Sequence, residues 1–139
     1  MTYIISCKDN NCKNTTYATN IVDLLDNHRN DNGYFICERC KGLGYIEKSF
    51  ALQEPGHFWK FHLTGAIRLG IEDETYQPFV FIVENEPFSK PDSIWFSYYK
   101  DLRPFGGRLK LGYGPGGPPI LDFDQINYFL TSLRKLRLI

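Results

Sequence analysis

Residues 58–71 read FWKFHLTGAIRLGI, and this stretch decides the architecture. Phe58, Lys60, His62 and Thr64 alternate with Trp59, Phe61 and Leu63, the two-residue period of a strand that turns one face inward. Ile67, Leu69 and Ile71 continue the run. Two more segments, Pro78 to Val83 and Ile94 to Tyr99, are rich in aromatic and β-branched side chains and are bounded by Pro, Ser or acidic residues, the composition of further strands. Together they imply an antiparallel meander, with Arg108 to Tyr113 as a shorter, less regular addition.

Helical periodicity occurs twice. Ile21, Leu24, Leu25 and His28 fall at i, i+3, i+4 and i+7 behind Asn20, a suitable N-cap, with Asp23 in the first turn; Asn30 to Gly33 stop this helix. Near the C-terminus Phe123, Ile126, Phe129, Leu130, Leu133 and Leu136 form an apolar face. Asp122 and Gln125 there make a capping box, and Arg134, Lys135 and Arg137 suit a helix end. Such a face is expected to lie against the sheet. The fold class is therefore α+β: a mainly antiparallel sheet packed by a C-terminal helix, with an N-terminal lobe containing a short helix.

The chain has 139 residues, of which 42% are hydrophobic and 16% aromatic. A domain of this size buries about 68% of its unfolded surface, so a single domain over 1–139 is expected. All four cysteines lie in the first fifty residues and every proline after them, which separates a metal-bearing lobe, 1–50, from the sheet and final helix, 51–139. Sixteen basic residues balance sixteen acidic ones, giving no overall bias toward nucleic acid. No run approaches about eighteen apolar residues, and Met1 to Cys7 is too short and uncharged for a secretory signal. Cytoplasmic residence is the expectation.

Four residues separate Cys7 from Cys12, and two separate Cys37 from Cys40. Close pairs in a chain of this size read as thiolate ligands rather than disulfides. Four thiolates suit Zn²⁺, whose structural sites are closed and tetrahedral, so Cys7, Cys12, Cys37 and Cys40 are the expected ligands of one structural zinc ion. Tyr34 to Cys37 and Tyr45 to Ser49 are expected to flank the second pair as a β-hairpin. Gly42 or Gly44 after the turn is expected to supply positive φ. A redox role for Cys37 and Cys40 would need a helix N-terminus beneath them, and the flanking residues read as strand and turn.

This pattern resembles the zinc-ribbon group over residues 7–49, although the helix at Ile21 to Arg29 departs from the plainest ribbons. Cys37, Cys40, Gly42 and Gly44 also look like one CxxCxGxG repeat of the DnaJ-type cochaperone zinc domain. That family implies several such repeats paired around two ions, whereas here there is one, so chaperone function is not carried over. The ribbon resemblance implies the metal and leaves nucleic-acid binding, protein interaction and a structural insertion all open.

No catalytic or organic-cofactor residues emerge. His57 and His62 are at an odd separation, on opposite faces of a regular strand, and His28 reads as a core-edge imidazole. Glu72, Asp73, Glu74, Glu84 and Glu86 read as a solvated turn and edge, as does Asp124. The glycine-rich stretch from Gly112 to Pro119 lacks the Lys and Ser/Thr of a phosphate loop. The candidate partner surface is Tyr98, Tyr99, Arg103, Arg108, Lys110 and Tyr113, where aromatic and basic side chains interleave. Three function classes follow: an interaction or accessory protein, through a protein partner or self-association; a zinc-ribbon nucleic-acid binder, by base stacking beside charge; and an enzyme whose site the sequence does not reveal.

Overall fold

The computed structural model describes residues 2–51, 56–69, 75–112 and 120–139. The elements run β1 (Tyr3–Cys7), β2 (Thr15–Ala18), α1 (Ile21–Asn27), β3 (Gly44–Ala51), β4 (Phe58–Arg68), β5 (Tyr76–Glu84), β6 (Ser93–Asp101), β7 (Leu109–Leu111), β8 (Ile120–Asp122) and α2 (Phe123–Lys135). A single-turn 3₁₀ helix, Arg103–Phe105, joins β6 to β7. The strands form one antiparallel sheet in the order β2-β1-β3-β4-β5-β6-β7, and β8 pairs with β6 beside β7. This is the α+β architecture that the alternation at 58–71 implies.

Burial follows the pleat. In β6 Ser93, Trp95, Ser97 and Tyr99 are buried while the residues between them are half-buried. In β5 Phe79, Phe81 and Val83 enter the main core, and Val80, Ile82 and Glu84 on the opposite face are buried as well. The core is continuous from Tyr3 and Ile5 in β1, through Leu24 and Leu25 of α1 and Phe61 and Leu63 of β4, to Trp95 and Tyr99 in β6. Asn20 caps α1 by accepting from the Asp23 N–H at 2.9 Å. Through Ile21, Leu24 and Leu25 this short helix buries an apolar stripe that it could not sustain alone in water.

Three local expectations change. Tyr34 to Cys37 does not form a strand: Tyr34, Phe35 and Ile36 make only isolated bridges, to Gly65, Arg29 and Leu43. The Gly65 bridge falls where the β4–β5 register shifts, between Leu63 and Gly65. Gly65 there lets residues 33–34 approach so closely that a Cβ would lie 2.5 Å from the Gly33 carbonyl oxygen.

The second change concerns α2. Its capping box forms as read, with the Asp122 carboxylate accepting from the Gln125 N–H and the Gln125 side chain accepting from the Asp122 N–H. Yet no α2 residue is buried. Ile126, Leu130 and Leu133 are half-buried, and Phe129 and Leu136 are exposed. The apolar stripe is real, but β8 runs straight into the helix and holds it at the sheet's margin.

The third is Glu84, which is 1% exposed rather than solvated; Lys8, 76 positions away in the chain, supplies its counter-charge. Glu72, Asp73 and Glu74 lie outside the described residues.

These differences set a stability contrast. Leu24→Ala, in a side chain with no exposed surface, should cost about 2–5 kcal/mol. Leu136→Ala, 68% exposed, should stay within about 0.5 kcal/mol. Urea unfolding of the metal-loaded variants measures both, and equal losses would place the α2 stripe in the core.

Candidate metal centre

β1 delivers Cys7 into a tight turn. The Asp9 carboxylate accepts from the Asn11 N–H at 2.8 Å, and the Asp9 carbonyl accepts from the N–H groups of Cys12 and Lys13 at 3.1 and 3.2 Å. The Cys7 N–H donates to the Asn14 carbonyl at 3.1 Å and closes the loop. Lys13 takes the positive φ of 51° that the reversal needs.

The second turn has the same logic. Cys37 N–H donates to the Gly42 carbonyl at 2.8 Å, Lys41 N–H donates to the Cys37 carbonyl at 2.9 Å, and Gly42 N–H points at the Cys40 sulfur at 3.4 Å. Here too a lysine, Lys41 at φ 63°, occupies the left-handed position, and neither Gly42 nor Gly44 does. Gly44 is required for a different reason: a Cβ would lie 2.5 Å from Ile5 Cγ2, blocking the approach of β3 to β1. That approach joins the two turns, through the Cys7–Gly44 pairing and the bond from the Lys8 N–H to the Leu43 carbonyl at 2.9 Å.

The turns bring Cys7, Cys12, Cys37 and Cys40 together, with their sulfurs all within 4.8 Å of one another. Cys7 and Cys40 are 3.5 Å apart and Cys12 and Cys37 3.8 Å. A disulfide needs about 2.05 Å, so these are free thiols. Zn–S bonds of about 2.3 Å around a tetrahedral ion give sulfur–sulfur edges of about 3.8 Å, and the spacing fits that edge. The result is a zinc-ribbon-like four-cysteine cluster able to hold a metal ion. His28 is not part of it: its ring faces Asp23 at 3.4 Å. Arg39 and Lys41 are exposed beside it.

The four sulfurs are not equivalent. Against the desolvation that burial imposes, the backbone N–H groups of Cys40 and Arg39, together with the Asn14 side-chain amide at 3.6 Å, hold the Cys37 thiol down at about 6. Desolvation and the adjacent sulfurs push Cys7 up to about 12. Cys12 is also raised: its hydrogen bond from the Asn14 backbone is outweighed by desolvation and by neighbouring sulfurs. One thiolate is thus stabilised by N–H donors, and the next ones form only against its charge. A divalent cation removes that conflict.

The partner-surface residues separate. Arg108 and Lys110 are exposed. Arg103, also exposed, is held in a two-bond pair with Asp101 at 2.9 Å. Tyr98 is half-buried with its ring 5.1 Å from that of Tyr76. Tyr99 is 4% exposed; its ring packs on Phe79 and its hydroxyl accepts from Arg68 at 2.6 Å. Tyr113, with Gly114 to Pro119, lies outside the described residues. Phe105, whose ring interleaves with these basic residues in the sequence, is 79% exposed at the tip of the β6–β7 connection, between Pro104 and Gly106. His57 is exposed, while His62 is buried and stacked on Tyr45 with ring centroids 4.1 Å apart.

No protein-family model, curated protein or solved structure matches the chain. Among the described residues, no helix is long and apolar enough to cross a membrane.

Because Cys7 and Cys12 hold their protons near neutral pH whereas Cys37 does not, metal loading must expel protons. Metal affinity should therefore rise with pH above 7 and fall as pH drops through about 6, where Cys37 also becomes protonated. Competition titrations against a chelator at pH 6, 7 and 8 measure this, and a pH-independent affinity would contradict the thiolate ladder.

Proposed function

We propose that the chain, a single domain over 1–139, is a protein-interaction or accessory module whose 1–50 lobe is held by one structural Zn²⁺ on Cys7, Cys12, Cys37 and Cys40. The observation that carries this reading is the sulfur quartet itself: its 3.5 and 3.8 Å separations lie near the edge of a tetrahedral four-sulfur zinc site, and four thiolates would fill such a site without water or substrate. Free thiols arranged in this way suit a reducing compartment such as the cytoplasm. Closed sites contribute folding energy rather than catalysis, which favours a binding role for the remainder of the chain.

The contact surface we assign is the β6–β7 end, Tyr98, Arg103, Arg108 and Lys110, with Tyr99 supporting it from inside, and we assign to it also Tyr113, two residues after β7 in the sequence. Two observations favour it. Lys100 and Lys110 stand directly opposite each other across β6 and β7, a like-charge pair that repels itself and that an acidic surface would relieve. Phe105 adds an exposed aromatic ring beside them, the type of side chain that anchors protein interfaces.

Purified protein should contain about one zinc per chain by elemental analysis, and Cys37→Ser/Cys40→Ser should hold less than half an equivalent. On chelation, amide exchange should accelerate in β1, β2 and residues 36–46 before it does in β5 and β6. Full thiol reactivity with no metal in carefully prepared protein would overturn the zinc assignment.

For the contact surface, Phe105→Ala/Arg108→Ala/Lys110→Ala should lose partners that wild type retains from nuclease-treated native lysate. Retention that persists in about 1 M salt identifies an apolar anchor. Partners that vanish with nuclease would instead mark nucleic acid as the ligand.

A further inference from the structure

A second constructed feature lies on the other side of the β1–β3 junction from the sulfurs. Glu84, at the end of β5, has a side chain only 2% exposed. One carboxylate oxygen accepts from the Lys8 ammonium at 2.6 Å, and the other accepts from the Phe88 N–H at 3.2 Å. Phe88 itself takes left-handed backbone, φ 64°, a conformation that side-chain-bearing residues rarely adopt. The Phe88 ring then meets Tyr45 and His62 edge-on, with centroids 5.2 and 4.9 Å away. His62 is the register partner of Glu84 across β4 and β5. The connection after β5 is thus bent to brace one buried carboxylate.

That carboxylate and Lys8 line a cavity of about 320 Å³, the lower end of the range for small-ligand sites. Its walls are mostly apolar, with Leu43 and Pro91 among them, and exposed Lys90 contributes as well. Two of the three hydroxyl-bearing residues in the lining have already given their protons away: Thr64 donates to the Ile82 carbonyl at 3.4 Å, and Ser89 donates to the Glu86 carbonyl. The side-chain donors left for a ligand are the Tyr34 hydroxyl and, carrying the charge, the ammonium groups of the two lysines. An ammonium has three N–H groups, and the ion pair with Glu84 uses one of Lys8's. Two ammonium groups against one carboxylate leave the lining with a positive charge. A buried ion pair recovers little net stability against its desolvation cost, so a pair placed in a cavity wall, with the ammonium end at 23% exposure and the carboxylate end dry, is better explained by what the ammonium faces.

We infer that this cavity binds a small organic anion, a carboxylate or phosphate monoester with a compact apolar body. Lys8 and Lys90 bind the charged group, Leu43 and Pro91 contact the body, and Glu84 is a positioning residue that fixes the Lys8 ammonium. The site is linked to the sulfur cluster through the chain: Lys8 follows Cys7, and Leu43 lies three residues after Cys40, with the Lys8 N–H bonded to the Leu43 carbonyl. Resting on the structural-zinc reading, this linkage means that the metal holds two walls of the anion site in register.

Benzoate and phenyl phosphate are suitable probes, with benzamide as the uncharged counterpart of benzoate. In zinc-loaded protein at low salt, both anions should give saturable shifts of the amide NMR signals of Gly44, Thr64, Glu84 and Ser89, and benzamide should bind at least about tenfold more weakly. Lys90→Glu, an exposed change that leaves the fold intact, should weaken the anions about tenfold. The paired change Lys8→Met/Glu84→Met, which leaves no unpaired charge behind, should abolish their binding. Absence of saturable shifts, equal binding of benzamide, or unchanged affinity in both variants would overturn the proposal. Zinc content measured on the same samples separates the two readings. Failure to bind at one zinc per chain refutes the anion site alone, and undiminished binding by folded, zinc-free protein refutes the structural linkage to the metal.

Discussion

Four sulfur atoms within 4.8 Å of one another form an arrangement that a protein cannot maintain as four thiolates and gains little by maintaining as four thiols. Everything in the first fifty residues is arranged to bring them there. The turns at 8–14 and 37–43 place lysines at positive φ, Gly44 yields its side-chain space to Ile5, and the Lys8–Leu43 backbone bond joins the two turns. With a cation at the centre, these features become mutually supporting. Without one, the repulsion between the second and first thiolates acts on the same β1–β3 junction that begins the sheet.

Beyond that junction, stability passes to the aromatic core. Phe61, Phe79, Phe81 and Trp95 meet in tilted and edge-to-face contacts with centroids 5.0–6.0 Å apart, a geometry worth about 0.5–1.5 kcal/mol per pair beyond the area buried. β5, between β4 and β6, is buried on both faces from Phe79 to Glu84, so it tolerates neither a register slip nor an unpaired polar group there. Glu84 satisfies this demand through Lys8 and the Phe88 amide, and a feature that resembles a solvated edge in the sequence becomes part of the interior.

What could be read in advance follows physical range. The caps of both helices were legible because a cap is decided within four residues: Asn20 with Asp23, and Asp122 with Gln125. That the four cysteines cluster was legible from pair spacing and thiolate chemistry. Glu84 was not, because its partner lies 76 positions earlier and acidic residues at strand ends are usually wet. The amphipathic face of α2 was visible, but periodicity reports that a stripe exists and not how deeply it is covered. Tyr99 was read by its type as a surface aromatic, and only the pairing of β6 shows that its position faces the core. Gly44 was singled out for the wrong property, a positive φ in place of close approach, since only coordinates distinguish the two.

The ends of the sheet have a consequence of their own. At one margin stands β2, only four residues long; at the other, β6 is covered in two places, by β8 opposite Ser93–Trp95 and by β7 opposite Tyr99–Asp101. Between these short partners only Phe96 to Tyr98 remains, and the Gly112 N–H already bonds to the Tyr98 carbonyl at 3.0 Å. At these two margins, among the described residues, an incoming strand would find only runs of three or four residues, too short for a rung-by-rung ladder. The open backbone lies inside the strand order instead: β3 meets β1 only at Gly44 and Tyr45, so Ile46 to Ala51 have no strand on that side among the described residues, and an added strand would have to enter there rather than at either margin.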